Sequence, residues 1–462
     1  MQFTTRILTA SCLAALFGSA GSALAAVSAD EAKQLGGSVL TAIGAEKAGN
    51  KEGTIPAYTG EGIHQPAGFD PKTYTRPDVY ASEKPLFTIT AQNAAQYADK
   101  LDGMIELFKK YPNFRMNVYP THRTSVIPKW VQDNTIKNAT ACKGSDNDQK
   151  LDGCYGGYAF PIPKNGTQVM WNHQTCYEAF SWTGYSNGFL VASNGNVTLV
   201  SGDDYWQQSE YYNPANTQPS NSKTIYWAVR VDAIAPARKV GEKLVLLDPL
   251  DTIGSTRRAW QYVPGQRRVK LAPDLAYDTP SPTGGGVVTM DDGKVFIGAL
   301  DRYNWKNLGK KEKFIQFNQF KTTAHDAACS KEAVTTPSFP NPECMRWELH
   351  RVWHVEGKLK EGYRHIYVKR DFFWDEDNYA AGLSENYDAS TKLYRVVSSQ
   401  AYPFYVEEGG GTAGDGTVSY DLVTGAWMIQ GSDFVKGAGK KPNPGKDWKW
   451  FSPEALSSEG IR

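Results

Sequence analysis

Pairs of strand-like segments joined by short turns are the feature that most constrains how this chain folds. In each pair, residues typical of strands, in part alternating between apolar and polar, lie on both sides of a turn that contains glycine. Short turns of this kind join antiparallel neighbours, and the alternation indicates strands with one covered face. Residues 345–355 and 363–372 alternate in the same way. The three pairs are residues 189–192 with 197–200, 260–263 with 267–270, and 417–421 with 426–430.

Helical patterns are few. Ser28 begins a capping-box pattern, which predicts a short helix that runs to about Leu40. Thr90 caps a second predicted helix over about residues 91–110, where apolar residues recur at helical spacing. Residues 44–85 are interrupted by glycine and proline and predict an extended arm. The predicted fold class is therefore mainly β (α+β), a large antiparallel sheet covered by a few helices, with an extended N-terminal arm.

The composition excludes several classes of protein. The chain has 462 residues, with 50 Lys+Arg against 49 Asp+Glu and 40% hydrophobic residues. A chain this apolar and this weakly charged is not disordered, and it is long enough to bury a core. The balanced charge gives no long-range field, so nucleic acid is not expected as a partner.

The first 25 residues have the pattern of a secretory signal peptide. Arg6 supplies a positive charge, residues 7–17 are mostly apolar, and Ala23 and Ala25 satisfy the small-x-small cleavage rule. The apolar run is too short to span a membrane. We therefore predict cleavage after Ala25 and a periplasmic protein; the alternative is a buried N-terminal helix in a chain that is not exported. The predicted organisation is a signal peptide over residues 1–25, a helix and arm over 26–85, and a β domain over 86–462.

Five cysteines remain after this cleavage, and the oxidising compartment permits disulfides. Cys142 and Cys154 bracket a polar loop, and Cys329 and Cys344 bracket a proline-containing loop, so we predict these two pairs. Cys176 is left over and is expected to be a buried free thiol, although a Cys154–Cys176 pair stays open. No CxxC spacing occurs, so a zinc site is not expected.

No complete catalytic or cofactor motif is present. The sequence lacks GxSxG, HExxH and a Walker loop. Residues 409–414 match GxGxxG, but a strand pattern follows where a dinucleotide site needs a helix, so a flexible loop is expected. His350 and His354 lack a third ligand and are expected to be structural or exposed. Neither a metal nor a cofactor is predicted, and abundant carboxylates and aromatic residues keep a carbohydrate-active protein as an open alternative.

Basic residues surround one predicted hairpin and suggest a ligand site. They precede the strand at residues 260–263 and follow its turn, so they could frame an anionic head group beside apolar side chains. The competing interpretation is a basic, solvent-exposed face. The candidate ligand-binding residues are Arg257, Arg258, Trp260, Tyr262, Arg267 and Arg268.

Several segments carry a family resemblance. Residues 40–60 read LTAIGAEKAGNKEGTIPAYTG. This segment resembles the N-terminal signature of a proteobacterial family of exported proteins, domain-of-unknown-function family 1329, whose members are often labelled outer-membrane lipoprotein-sorting proteins. Tyr58 stands where the family pattern has Trp. The resemblance covers residues 30–450, and the further matching segments are residues 76–78, 83–90, 119–124, 257–269 and 275–280.

The resemblance implies a fold similar to that of the LolA and LolB lipoprotein carriers, a curved half-barrel of antiparallel strands closed by helices over an apolar cavity. Genes of the family tend to lie beside outer-membrane proteins and lipid-type exporters, so those two classes are the implied protein partners. The resulting hypothesis is a non-enzymatic carrier or accessory protein for lipid, lipoprotein or another hydrophobic cargo between the inner and outer membranes. The hypothesis includes association with the outer membrane. The alternatives are a scaffold for an outer-membrane protein and an exported hydrolase.

Overall fold

The computed structural model describes residues 27–460 apart from residues 64, 68, 73–75, 274, 324–326, 404–411, 432–433 and 435–438. The predicted signal peptide and the glycine run at 409–411 lie outside the described residues. The α-helices are α1 (Ala29–Ala32), α2 (Ala98–Leu101), α3 (Ile105–Lys110), α4 (Lys129–Ala141), α5 (Gly166–Gln174), α6 (Lys331–Val334) and α7 (Pro453–Gly460).

The strands carry most of the regular structure. They are β1 (Phe87–Thr90), β2 (Arg115–Val118), β3 (Lys143–Ser145), β4 (Lys150–Asp152), β5 (Ser181–Val191), β6 (Val197–Gln208), β7 (Ile225–Ala235), β8 (Lys243–Pro249), β9 (Arg258–Val263), β10 (Arg268–Leu271), β11 (Tyr303–Gln316), β12 (Trp347–Leu359), β13 (Lys369–Asp375), β14 (Gly382–Tyr387), β15 (Leu393–Pro403), β16 (Thr412–Asp421), β17 (Trp427–Gly431) and β18 (Lys441–Pro442).

One large sheet contains 16 of these strands. Its order is β1-β2-β12-β13-β14-β15-β16-β17-β5-β6-β7-β8-β9-β10, with β11 paired to β12 and β18 to β5. The sheet is open, because its end strands β1 and β10 do not pair with each other. One parallel contact, Trp347 with Val118 between β12 and β2, makes the otherwise antiparallel sheet mixed. The predicted fold class, a large sheet with a few helices, is confirmed.

The three predicted hairpins are also confirmed. They are β5–β6, β9–β10 and β16–β17, each antiparallel with successive strands paired. The strand predicted over residues 363–372 is wrong in its first half, since β13 begins at Lys369. Before that strand, the Tyr367 backbone N–H donates to the ring of His365 at 3.0 Å. This local hydrogen bond replaces a ladder bond, so the alternating residues there do not form a strand.

The predicted helices are shorter than expected. The capping box at Ser28 is present, but α1 ends at Ala32. The helix predicted over residues 91–110 is broken at Asp102, where φ is 49°. The N–H groups of Gly103 and Met104 donate to the Glu385 carboxylate at 2.8 and 3.1 Å. A distant strand residue therefore accepts hydrogen bonds that a continuous helix would make with its own carbonyls.

Both faces of the large sheet are covered at strand β7. On β7, Val229 belongs to the core that contains Trp171 of α5, whereas the adjacent Ala228 belongs to the core that contains Leu456 of α7. Successive residues of a strand point to opposite faces, so α5 and α7 lie on opposite sides of this part of the sheet. We call the side that carries Val229 the inner face and the side that carries Ala228 the outer face.

The N-terminal arm is held on the sheet by a buried ion cluster. Arg123 makes two hydrogen bonds of 2.7 Å to the carboxylate of Asp377, and its guanidinium also donates to the Glu46 carbonyl at 2.8 Å. The Tyr58 ring lies 5.3 Å from the guanidinium carbon. The segment that carries the family resemblance thus wraps a buried arginine. The division of the chain into an arm and a β domain at residue 85 stays a prediction.

The two predicted disulfides are confirmed. Cys142 pairs with Cys154 across the short β3–β4 hairpin, and Cys329 pairs with Cys344. Cys176 is a buried free thiol, as expected, so the alternative Cys154–Cys176 pair is not formed. Burial raises the pKa of the Cys176 thiol to about 12. The thiol therefore stays protonated and unreactive at neutral pH.

Candidate functional site

A cavity lies on the inner face of strands β5 to β8, beneath the segment of residues 281–297. About 150 Å³ of it can be reached by the centre of a water molecule. One water needs roughly 10–15 Å³ by this measure, so the cavity can hold part of an organic ligand. We call residues 281–297 the lid segment because they cover this face.

The pairing of strands β5 to β8 determines which side chains form the apolar floor of the cavity. Tyr205 of β6 lies opposite Gly184 of β5 on one side and Val231 of β7 on the other. Val231 lies opposite Leu244 of β8. Residues directly opposite each other share a face, so these side chains form one row across four strands. The apolar residues of the floor are Tyr205, Trp227, Val229, Val231, Leu244 and Leu246.

The lid segment is anchored by a buried arginine. Arg370 of β13 donates to Asp291 at 2.8 Å and to Asp292 at 2.7 Å, and all three side chains are buried. Burial alone would raise the pKa of Asp291, but the neighbouring Arg370 and His365 charges lower it below its ordinary value. The Asp291 carboxylate is therefore ionised, and together with Asp292 it holds the turn at Thr289–Asp292 against the sheet.

A charged triad closes one part of the cavity. Glu178 accepts hydrogen bonds from Lys294 at 2.8 Å and from Lys440 at 3.3 Å, and both lysines line the cavity. Burial would raise the pKa of Glu178, but the two lysines outweigh it and lower the value to about 2. Gln207 donates to the same carboxylate and accepts from the Trp227 indole N–H at 2.7 Å. These charges are satisfied within the protein.

Asp203 of β6 is different. Its side chain lines the cavity, is 3% exposed, and forms no ion pair within the described part of the chain. Burial is the main reason why the pKa of Asp203 is raised to about 7. The nearby charges of Asp204 and Glu242 contribute to this rise, whereas the charge of Lys239 opposes it. The Ser201 hydroxyl lies close enough to lower this pKa, but Ser201 Oγ forms no hydrogen bond with a described residue. Asp203 is thus a carboxyl group held in the cavity without a fixed partner.

The six residues predicted to bind a ligand do not line this cavity. Trp260 and Tyr262 pack on the outer face, in the core beneath α7. Arg257 is paired with Asp248 at 2.6 Å, and both residues line a second, smaller pocket. Arg258 lies 5.9 Å from the Trp260 ring, and the exposed Arg267 and Arg268 lie at the β9–β10 turn. The structure brings Arg258 and Trp260 together but not all six residues, and their role in binding stays a prediction.

Sequence reasoning missed the cavity, although a signal for it exists. Residues 227, 229 and 231 are apolar at every second position, and residues 244 and 246 repeat this on the next strand. Asp203 and Asp204 are adjacent on β6, so their side chains point to opposite faces: Asp203 lines the cavity while Asp204 is exposed.

The two histidines on β12 are structural. His350 is buried between Asp375 at 2.8 Å and Glu348 at 3.1 Å, and His354 contacts Asp371 at 3.1 Å. Across the described residues, no group of three or more His, Cys, Asp or Glu side chains is arranged to hold a metal ion. Among those same residues no helix has the length and apolar character needed to cross a membrane.

The solved structures that are similar to this chain include three from different bacteria. A putative outer membrane lipoprotein-sorting protein domain from Vibrio parahaemolyticus is 12% identical, with a TM-score of 0.42, over 63% of this chain and 98% of that one. A LolA superfamily protein from Nitrosomonas europaea is 12% identical, with a TM-score of 0.37, over 63% and 99%. A DUF1329 family protein from Desulfovibrio piger is 11% identical, with a TM-score of 0.39, over 60% and 92%.

Sequence comparison is more specific. An uncharacterized protein of Pseudomonas aeruginosa is 39% identical over 464 residues, which is 99% of this chain and all of that protein. The sequence profile of a family described as "Protein of unknown function (DUF1329)" matches residues 88–457. The match covers most of the chain and confirms the resemblance seen in its motifs. This chain belongs to the DUF1329 family.

Proposed function

We propose that the protein is a periplasmic carrier or accessory protein that holds a hydrophobic cargo in the cavity beneath the lid segment. The observation that supports this proposal is the row of apolar side chains that runs from Tyr205 through Val231 to Leu244 on the floor of the cavity. Transfer of each CH₂ group from water to such a surface is worth about 0.8 kcal/mol. A lipid tail or other apolar molecule would therefore bind without any chemical step.

The size of the cavity favours a small cargo. A cavity of about 150 Å³ is comparable to an engineered protein cavity that binds benzene. This space suits one ring or a segment of one tail, rather than the several acyl chains of a lipoprotein anchor. Within the range of lipid, lipoprotein and other hydrophobic cargoes, we favour a single-tailed or small hydrophobic molecule. An outer-membrane protein and an inner-membrane exporter of lipid type are the partners we propose for delivery and loading.

The arrangement of carboxylates supports binding over hydrolysis. A glycosidase-like mechanism needs two carboxyl groups that are free to act as acid and base. Asp203 and Asp292 both line the cavity, but Asp292 accepts hydrogen bonds from Arg370, from the Tyr367 hydroxyl at 2.9 Å and from the Thr289 N–H at 3.0 Å. Asp292 is thus committed to holding the lid segment. We propose a non-catalytic role on this ground.

Extraction of the native protein tests the proposal. We would purify the full chain from the periplasm of its own host without detergent and analyse organic extracts by mass spectrometry. We expect one hydrophobic molecule in a stoichiometric amount. Val231→Trp fills the floor of the cavity and should reduce that amount, whereas Val240→Trp, at an exposed hairpin tip, should not. An empty wild-type protein that crosslinks to an outer-membrane protein would instead favour the scaffold function.

A further inference from the structure

Asp203 is the charged group of the cavity that the protein does not pair. Four charged residues line the cavity, and in the described part of the chain three of them have ion pairs: Asp292 with Arg370, and Lys294 and Lys440 with Glu178. Asp203 has none, and only 3% of it is exposed. A buried carboxyl without a partner is costly. Its retention here indicates that something other than the fold makes use of it.

The surroundings of Asp203 favour a hydrogen-bond donor. On the neighbouring strands the residues directly opposite it are Ser186 of β5 and Ala233 of β7, neither of which is charged. The nearby acidic side chains are Asp204 and Glu242. The nearby basic side chain, Lys239, is engaged by the Pro282 carbonyl of the lid segment. An anionic ligand group placed here would meet like charge, whereas a donor would complete the site.

We infer that Asp203 contacts the ligand directly, and that the cargo presents a hydrogen-bond donor to it, either a protonated amine or a hydroxyl. This inference rests on the proposed function. Asp203 lies two residues before Tyr205 on the same strand and shares its face. A ligand whose apolar body covers Tyr205, Val231 and Leu244 would therefore bring a polar end within reach of this carboxyl.

The inference restricts the cargo to an amphiphile of defined polarity. Its apolar part lies on the floor, and its donor lies at Asp203. Simple fatty acids and lipids whose only polar group is an anion do not satisfy the site. The triad of Glu178, Lys294 and Lys440 is satisfied within the protein and is not needed for this contact.

Chain-matched probes test the inference. Octylamine, octanol and octanoate share one tail and differ in the group they would present to Asp203. Binding to the full-length protein at pH 8 can be followed by calorimetry and by the fluorescence of Trp182 and Trp227, which line the cavity. A hydrogen bond to a charged group is stronger than one between neutral groups, so we expect at least one donor probe to bind roughly tenfold or more tightly than octanoate.

Two variants of adjacent residues complete the experiment. Asp203→Asn should lower the affinity for the preferred donor probe by about tenfold. The affinity for octanoate should stay the same or increase. Asp204→Asn removes an exposed carboxylate from the other face and should change none of the three. Equal binding of the three probes with no effect of Asp203→Asn would overturn the inference while leaving the proposed function intact. If no probe binds, the inference is overturned, and the extraction experiment judges the proposed function separately.

Discussion

At the scale of single residues, Asp203 shows how burial of a carboxyl group can reduce stability. Its pKa is raised from an ordinary value of 3.8 to about 7 by burial. The folded state therefore binds more protons than the unfolded state between these values, and the free energy of unfolding falls as pH rises from about 4 to 7. The cost above pH 7 is on the order of 4 kcal/mol.

Replacement of this carboxyl should recover part of that cost. We expect Asp203→Asn to raise the free energy of unfolding relative to the wild type by roughly 2 kcal/mol at pH 8 and to have little effect at pH 4, where the wild-type carboxyl is protonated. Urea titrations at the two pH values measure this difference. Asp204→Asn is the control, since its side chain is exposed. A destabilised Asp203→Asn protein at pH 8 would contradict the prediction.

His350 should act in the opposite direction. Burial would lower its pKa, but the hydrogen bonds from its ring to Asp375 and Glu348 outweigh burial and raise the value to about 9. A histidine with a raised pKa stabilises the fold fully below the unfolded value of 6.5, and this contribution is lost as pH rises through 9. We expect the stability advantage of the wild type over His350→Gln to shrink by a few kcal/mol between pH 6 and pH 10.

Denaturant titrations of both proteins across this range measure the advantage. The sign of the change is specific to a cationic histidine held between two carboxylates. A constant difference between wild type and variant from pH 6 to pH 10 would show that His350 is neutral in the folded state. The same result would show that the ring only packs against Phe317, on which it stacks at 4.3 Å.

At the scale of elements, the disulfides give a prediction that separates two cores. Cys142 and Cys154 lie in the core of the inner face, whereas Cys329 and Cys344 lie in a second core with Phe314 and other residues. Each bond closes a short loop and should contribute about 3 kcal/mol. We expect the two paired Cys→Ser variants to lose this amount each, and the losses to add because the bonds share no partners.

Peptide mapping without reduction should find the same two pairs, with Cys176 free. Denaturant titration measures the free energy of unfolding of the variants that lack one disulfide and of the variant that lacks both, and this comparison tests additivity. A crosslinked peptide that contains Cys176 would contradict the assignment. A double variant that loses much more than the sum would show that the two cores are coupled.

The elements also show what the sequence could predict. The β5–β6, β9–β10 and β16–β17 hairpins were predictable, because each depends on a local turn and on alternation within about a dozen residues. The helix α5 was missed, because all of its residues are buried and it has no polar stripe to give a helical period. The break at Asp102 was not predictable either, since it depends on Glu385 in a strand far along the chain.

The candidate site was less predictable than the fold. The basic hairpin at residues 257–268 is conspicuous in the sequence, but its aromatic residues face the core beneath α7. The cavity requires four strands in register and a lid segment that comes from elsewhere in the chain, and it shows only as alternating apolar residues. Asp203 stands out only when its burial and its lack of an ion pair are known.

At the scale of the whole molecule, a single sheet joins the arm to the cavity. The ion cluster around Arg123 connects the arm to the turn after β13, and the cavity lies on β5 to β8 of the same sheet. Hydrogen bonds run from strand to strand between the two regions. We therefore expect the regions to unfold together, so that damage to the arm anchor is seen at the cavity.

Arg123→Ala tests this coupling. It leaves the buried Asp377 without its partner and should reduce the free energy of unfolding by about 3–5 kcal/mol. Arg115→Ala is the matched control, because its pair with Glu343 is exposed and worth less than about 1 kcal/mol. Tryptophan fluorescence, to which the cavity residues contribute, and far-ultraviolet circular dichroism should report one shared, shifted transition. Two separate transitions, with the fluorescence change left at its wild-type midpoint, would show that the cavity folds independently of the arm.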